Sequence, residues 1–271
     1  MATSTKRKSN NEIPNGAEKR LFSNCELIYC RNPEKSVNRD FKIILAGPTR
    51  GRPELCIKSI SSFIEKSKNP ENLKLLLGFD NDDKSSHHQV IDFIKENYPK
   101  IDIEVYEFER EGYLNAHKYQ NTLINQAPLE NNPWIFLWTD DLIMLKDDWD
   151  DRIISNYNEN DLTIVYYSVR SGAGAGREIA YFFTSLILKI TNFLLLFDPA
   201  SDRFVREIAK ATGIFRRDDH ISISHPRPDD STFQTAYSQR ADKQKQCQKF
   251  NFSEEVIKMI LEFNEKEKKV G

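Results

Sequence analysis

Residues 134–142 read Trp-Ile-Phe-Leu-Trp-Thr-Asp-Asp-Leu, in which five apolar residues precede a threonine and two carboxylates. The apolar run does not alternate with polar residues, which is typical of a strand covered on both faces within a parallel sheet. Polar residues that directly follow such a strand lie in the crevice at the carboxyl ends of the sheet, where α/β proteins bind ligands. The stretch therefore predicts a buried strand that presents Asp140 and Asp141 to a binding crevice.

Two earlier stretches share this pattern. Residues 41–54 are an apolar strand that breaks into the turn Pro-Thr-Arg-Gly-Arg-Pro at positions 48–53, and residues 73–83 are a second strand that ends in acids. Strand-like and helix-like patterns then alternate as far as about residue 167. This alternation predicts an α/β fold with a Rossmann-like, mostly parallel central sheet flanked by helices.

The length of the chain, 271 residues, fits one large domain with short appendages. We expect a loose polar N-terminal extension over residues 1–38, because this part is rich in Asn, Lys and Ser. The main domain is expected over residues 39–245. A C-terminal helix within residues 246–271 is expected to pack on the domain or to trail it.

Charge and cysteine content limit the partners and the location of the protein. The 39 basic and 41 acidic residues give a formal net charge of −2, so there is no strong nucleic-acid signal. The polar start of the chain has no apolar core of a secretory signal, and the four cysteines lack the spacing of a zinc site. We therefore expect reduced thiols and a cytoplasmic location.

Residues 179–197 are the most apolar part of the chain. A buried helix and strand is the favoured interpretation, and a contact with a membrane surface is the second. A membrane span is disfavoured because Lys189 and Asn192 would lie centrally in the lipid. The glycine-rich residues 172–176 lack the spacing of a dinucleotide fingerprint and are interpreted as a loop near the site.

Four groups of polar residues could carry chemistry at the predicted crevice. Carboxylate oxygens such as those of Asp140 and Asp141 suit Mg²⁺ or Mn²⁺, although a solvated turn with a capping aspartate is the alternative. Guanidinium groups in the 48–53 turn match phosphate oxygens, although surface arginines are common near a helix start. The acids of residues 80–83 could accept from a nucleobase or a ribose, or form a solvated loop. His225, at a strand end, could complete a metal shell or be structural.

Together these stretches resemble the GT-A glycosyltransferases of the inverting family-two type. The resemblance covers residues 41 to about 155. It includes residues 111–118, Glu-Gly-Tyr-Leu-Asn-Ala-His-Lys, which are similar to the Gly/Asn-bearing helix start that precedes the metal strand of the family. It also includes residues 146–150, Lys-Asp-Asp-Trp-Asp, which are similar to the segment after that strand.

The resemblance assigns expected roles to single residues. Asp140 and Asp141 correspond to the DXD motif of the family, which holds Mn²⁺ or Mg²⁺, and His225 would be a late metal ligand. Asp202 would be the catalytic base that activates the acceptor. The expected nucleotide-sugar ligands, which include one of the two metal-motif acids, are Pro48, Thr49, Arg50, Arg52, Asp80, Asp82, Asn115, Lys118 and Asp140.

The activity implied by the resemblance is metal-dependent transfer of a sugar, of the hexosyltransferase type, from a nucleotide-diphosphate donor to an acceptor hydroxyl. The donor would be a UDP-sugar, and the anomeric carbon would be inverted. The acceptor could be a glycan, a lipid, a protein or a modified base. Two alternatives stay open: a nucleotidyltransferase on a related sheet, and a non-catalytic module that binds nucleotides or glycans.

Overall fold

A computed structural model describes residues 22–31, 41–112, 115–172, 181–193, 201–226 and 253–270, with single residues 234, 238, 239 and 242. Nine strands in these ranges form one sheet. The strands are β1 (Cys25–Arg31), β2 (Ile43–Thr49), β3 (Leu73–Asp80), β4 (Asp102–Phe108), β5 (Trp134–Leu137), β6 (Ile143–Met144), β7 (Ile164–Gly172), β8 (Tyr181–Thr184) and β9 (Phe215–His225). The α-helices are α1 (Pro53–Glu65), α2 (Lys84–Asn97), α3 (Ala116–Asn125), α4 (Trp149–Asn156), α5 (Ser185–Thr191), α6 (Ser201–Ala211) and α7 (Ser253–Val270).

The order of strands across the sheet is β1-β4-β3-β2-β5-β8-β7-β9-β6. Strands β4, β3, β2 and β5 are parallel to one another, and β7 is parallel to β9. Strand β8 is antiparallel to both β5 and β7, so β7 and β9 point in the same direction as β5. The predicted mixed α/β fold with a mostly parallel central sheet is confirmed, and the carboxyl ends of β2, β3, β5 and β9 lie at one edge.

Helices cover both faces of the sheet and make two apolar layers. On one face, α1 contributes Cys56, Ile60 and Phe63, which the helical spacing predicts to share a buried side. Helices α2 and α4 pack on the same face. Helices α3, α5, α6 and α7 cover the opposite face, where Val205 of α6 and Val256 of α7 are fully buried. Because both faces of the sheet are packed in this way, the residues at the carboxyl ends of the central strands are held in place.

The expected loose extension over residues 1–38 needs a correction, because β1 lies within it. Residues 25–31 pair antiparallel with β4 at the edge of the sheet. The segment carries Leu27, Ile28 and Tyr29 in a row, but its apolar character is diluted when composition is averaged over 38 polar residues. The other domain boundaries stay predictions, and α7 does pack against α5 and α6.

The apolar segment 179–197 forms a strand and a helix over its described residues, 181–193. Tyr181 and Phe183 of β8 and Ile187 of α5 are buried in the core, which confirms the favoured interpretation for this part. These side chains are therefore not available to a membrane surface. No helix within the described ranges is long and apolar enough to cross a membrane. Of the predicted loop over residues 172–176, all but Gly172 lies outside the described residues.

Candidate functional site

The first element of the site joins the ends of β2 and β5. Thr49 is the last residue of β2, and its Oγ1 donates to Asp140 Oδ2 over 2.7 Å. Arg52 Nε donates to the same oxygen over 3.2 Å, and Arg52 Nη2 donates to Asp140 Oδ1. Burial raises the pKa of Asp140 to about 6, although the Arg52 charge and the Thr49 hydrogen bond oppose that shift. Both oxygens of this buried carboxylate are thus engaged by the arginine turn.

The second element joins residues 84 positions apart along the chain. His225 Nε2 lies 3.1 Å from Asp141 Oδ2, and Thr139 Oγ1 donates to Asp141 Oδ1 over 2.8 Å. This pairing follows from the sheet, because β6 is antiparallel to β9 and sets Ile143 opposite Ser224. Burial raises the pKa of Asp141, but His225, Thr139 and the Arg52 charge lower it more, so it lies below the usual value of a carboxyl group.

The Asp141–His225 pair fits two adjacent ligands of one divalent ion. Neighbouring ligands of an octahedral ion with bonds of about 2.0–2.1 Å lie about 3 Å apart, which matches the 3.1 Å between the two donor atoms. Within the described ranges, no group of three or more His, Cys, Asp or Glu side chains is arranged to hold a metal. A Mg²⁺-type ion takes only one or two carboxylates and completes its shell with water and phosphate oxygens. The two donors present therefore suit such an ion together with a diphosphate.

The third element lies at the end of β3. Arg50 Nη1 donates to Asp80 Oδ2 over 2.8 Å, and both terminal nitrogens of Arg50 bind Asp82. Arg110 Nη1 adds a longer contact, 3.3 Å, to Asp82 Oδ2. The guanidinium of Arg50 therefore binds Asp80 and Asp82 in this structure. Its binding to a nucleotide sugar stays a prediction.

Asp80 has one oxygen that the described part of the chain does not use. Asp80 Oδ1 is buried and makes no hydrogen bond there. The Tyr119 hydroxyl also lies beside the Asp80 carboxylate: burial has the larger effect on its pKa, and the charge of Asp80 and a hydrogen-bond contact with Asp80 raise it further, while the hydroxyl donates to Glu109 O over 2.9 Å. His87 Nε2 lies 2.9 Å from the Asp80 carbonyl and holds the strand end. A buried carboxylate oxygen in this state can accept a hydrogen bond from a ligand.

The remaining predicted ligands are placed nearby but are not joined to the acid pair by any described hydrogen bond. Lys118 Nζ donates to Glu111 Oε2 over 2.7 Å, and Asn115 Nδ2 donates to the Glu111 carbonyl over 2.9 Å. These residues follow β4, so they belong to the same edge of the sheet. Pro48 lies in β2 opposite Gly78.

The predicted catalytic base, Asp202, is the second residue of α6. Its side chain lies outside what the structure describes, so its role stays a prediction.

Three further residues of the site were not identified from the sequence. Thr139 binds Asp141 and stands next to the acid pair, so the Thr-Asp-Asp order was the available signal. His87 has no signal beyond being a histidine in a helix. Ser59 of α1 contacts the turn that carries the acids, but in the sequence it is only a small polar residue on a buried helical face.

Comparison with known proteins supports the fold. A mannosyltransferase from Pyrobaculum calidifontis, solved in complex with GDP-Man and Mn²⁺, matches with a TM-score of 0.59 and 12% identity over 90% of this chain and 74% of that one. The fold is a glycosyltransferase fold. Mouse xyloside xylosyltransferase 1 in its apo form also matches, at a TM-score of 0.35 and 10% identity over 76% of this chain and 83% of that one, which is too low to carry an argument. No protein-family model and no curated protein sequence matches this chain.

Proposed function

We propose that this protein is a metal-dependent glycosyltransferase that takes a sugar from a nucleotide-diphosphate donor. The observation that carries the proposal is the pairing of Asp141 with His225 beside the Arg52–Asp140 ion pair. These groups lie at the carboxyl edge of a sheet with a glycosyltransferase fold, where α/β proteins bind ligands. The mannosyltransferase of the same fold was solved with a nucleotide sugar and Mn²⁺.

In this proposal Asp141 and His225 hold Mn²⁺ or Mg²⁺. The bound ion would neutralise charge that develops on the departing diphosphate. Asp140 is expected to act mainly by holding Arg52, because both of its oxygens already bind the arginine turn. Arg52, whose side chain is 17% exposed and whose Nη1 lies 3.8 Å from Asp141 Oδ2, would contact the phosphates from beside the ion.

The nucleobase would meet the end of β3. Asp80 Oδ1 offers a single acceptor, since Oδ2 is taken by Arg50. The imide of uracil presents one N–H, whereas the corresponding edge of guanine presents two neighbouring donors. A single acceptor therefore favours a UDP-sugar over a GDP-sugar, although the mannosyltransferase of the same fold was solved with GDP-Man.

Transfer to the acceptor needs a base near the attacking hydroxyl. We keep Asp202 for this role because the family resemblance assigns it, with attack from the opposite face and inversion of the anomeric carbon. An Asp202→Asn variant should keep donor binding and lose turnover. Equal turnover in the variant would remove Asp202 from the role.

The proposal is tested by thermal shift with UDP, GDP, CDP and dTDP, each with Mn²⁺ or with EDTA. The expected result is a rise of several degrees with UDP that EDTA abolishes, because a ligand that binds only the folded state stabilises it. The matched control is Asp147→Asn, a change at an aspartate whose side chain is 79% exposed. That variant should respond as the wild type does. The absence of any nucleotide response in the wild type would overturn the proposal.

A second assay separates the proposal from nucleotidyl transfer. Incubation with the UDP-sugar that binds should release UDP as the sugar moves to an acceptor or to water. Release of pyrophosphate from a nucleoside triphosphate would favour a nucleotidyltransferase instead.

A further inference from the structure

Ser59 of α1 makes hydrogen bonds to both sides of the turn that carries Asp140 and Asp141. Ser59 is completely buried, and its Oγ accepts a hydrogen bond from Trp138 Nε1 over 2.9 Å. The same hydroxyl donates to the carbonyl of Leu142. Trp138 lies two residues before the acid pair and Leu142 directly after it. One hydroxyl thus bridges the two sides of the turn.

We propose that Ser59 is a positioning residue for the acid pair. By joining the residue before the turn to the residue after it, the hydroxyl fixes the turn at the height where Asp140 meets Arg52 and Asp141 meets His225. The inference rests on the proposed function only in that these carboxylates serve the metal and the donor. The bridge itself is a feature of the fold.

The helix that carries Ser59 also starts at the arginine turn. Cys56 N donates to Arg52 O over 2.9 Å, so Arg52 is tied to the first turn of α1. Arg52 reaches Asp140 from that end, and Ser59 reaches the flanks of the acid turn about two helical turns further on. The arginine turn and the acid turn are therefore both attached to the same helix, α1. A tilt of α1 would move both together.

Trp138 is confined from the other side as well. A Cβ on Gly47 of β2 would lie 1.9 Å from the Trp138 carbonyl oxygen, so only glycine lets the two strands approach this closely. Trp138 therefore lies between the backbone of β2 and the hydroxyl of Ser59. Loss of the hydroxyl frees the indole on one side only, which favours a shift of the turn toward α1.

Ser62, one helical turn after Ser59, links α1 to the next strand in the same way. Its Oγ donates to the Ser59 carbonyl over 2.7 Å and accepts from Met144 N over 2.9 Å. Met144 belongs to β6, the strand that pairs with β9 and so sets the place of His225. Displacements of about 1 Å at a reacting centre cost about 100-fold in rate, so a small loosening here has a measurable effect.

The test compares Ser59→Ala with Ser185→Ala. Ser185 is an equally buried serine whose hydroxyl donates to Leu129 O at 3.4 Å. It lies at the other edge of the sheet, roughly 20 Å from the acid pair along β5. Two quantities are measured for each variant: amide hydrogen exchange in a peptide covering residues 139–144, and the affinity for UDP with Mn²⁺ and with EDTA.

We expect Ser59→Ala to speed exchange in the 139–144 peptide about tenfold or more. It should weaken the Mn²⁺-dependent affinity for UDP about tenfold, while the affinity in EDTA stays unchanged. Ser185→Ala should change neither quantity. Wild-type exchange and wild-type metal-dependent affinity in Ser59→Ala would overturn the inference, and so would equal effects of the two variants.

Two further arms keep the outcome decisive. If Ser59→Ala does not fold, Ser59→Cys fills the site with a somewhat larger side chain and weakens the hydrogen bonds without removing them, and it should show the same changes at smaller size. A wild type without Mn²⁺-dependent binding of UDP would overturn the proposed function. The exchange measurement would then still decide whether Ser59 holds the turn.

Discussion

The two ends of β3 both carry buried charge, yet they are built differently. At the start of the strand, Lys74 Nζ donates to Asp102 Oδ1 over 2.8 Å and to Glu104 Oε1 over 2.7 Å. The Lys74 side chain is completely buried, and the Tyr106 hydroxyl donates to Glu104 Oε2 over 2.5 Å. The cation and the two acids of this network thus face one another inside the sheet.

At the end of the strand, Asp80 is paired with Arg50 and lies beside the Tyr119 hydroxyl. Arg50 is itself 35% exposed and reaches out to Asp82. The difference follows from the fold, because only the carboxyl end of a parallel strand opens to the crevice. Charge at the start of β3 is therefore enclosed within the fold, and we propose that charge at its end meets the ligand.

The largest effect is expected from Lys74→Ala. The change leaves Asp102 and Glu104 without their cation in a buried place, which should lower the free energy of unfolding by about 3–5 kcal/mol. Urea denaturation measures this loss. The control Lys66→Ala breaks the exposed ion pair with Asp147 and should cost at most about 1 kcal/mol. If Lys74→Ala lowers the free energy of unfolding as little as Lys66→Ala does, the buried contacts of Lys74 with its two acids do not stabilise the fold as we expect.

Asp80→Asn should weaken ligand binding and leave the free energy of unfolding almost unchanged, the opposite of what we expect for Lys74→Ala. We expect the affinity for UDP to fall about tenfold, because the acceptor that faces the base is lost. The free energy of unfolding should change by less than about 1 kcal/mol, since losing the ion pair with the partly exposed Arg50 is offset by removing a buried negative charge. Calorimetric titration and urea denaturation together check both parts. Asp92→Asn, at a side chain 64% exposed, is the control and should bind UDP as the wild type does.

Arg50→Ala sharpens the comparison by separating two roles for this arginine. If Arg50 orients Asp80, as the structure indicates, the variant should bind uridine and UDP less tightly by the same factor, about threefold to tenfold. If Arg50 binds the phosphates, as the resemblance implies, only UDP should bind less tightly. Competition titrations with the two ligands measure the ratio.

An effect on stability alone is expected at Asp218, another buried acid, which lies away from both ends of β3. Burial raises its pKa, but the contact with Arg152 and the other hydrogen bonds outweigh this, so the pKa lies below the ordinary value of an aspartate. The ionised, paired form therefore stabilises the fold above about pH 3.8, and the gain is lost as the pH falls through the lowered pKa.

The matching experiment compares wild type with Asp218→Asn by thermal denaturation at pH 7 and at pH 3. We expect the variant to be less stable at pH 7 by about 1.5–3 kcal/mol, and the gap to shrink at pH 3. A gap that is equal at the two pH values would show that the pairing with Arg152 does not depend on the charge of Asp218.

Much of the fold was predictable because the runs before positions 80 and 140 are almost entirely apolar. They mark buried parallel strands, and the acids after them then belong to the crevice. Strand β1 was missed because seven residues of strand were averaged with a polar lead-in. The nine-stranded order could not be derived from periodicity, which says nothing of the partners of a strand.

The sequence allowed us to predict which residue types form the site, but not which of these side chains contact one another. The sequence indicated that arginines and acids would gather at one edge, but not that Arg50 would bind acids. That pairing depends on the register of β2 against β3, which sets Thr49 opposite Phe79. Ser59 could not be recognised because its proposed role is a bridge between an indole nitrogen and a backbone carbonyl that both lie about 80 residues away.

The most direct test of the account is the affinity of UDP for wild type and Asp141→Asn, measured by calorimetry with Mn²⁺ and with EDTA. We expect Mn²⁺ to tighten binding of UDP to the wild type at least tenfold. The variant should bind UDP with the wild-type affinity in EDTA and gain nothing from Mn²⁺, because the pair with His225 is lost. Unchanged Mn²⁺ dependence in a folded Asp141→Asn protein would contradict the account.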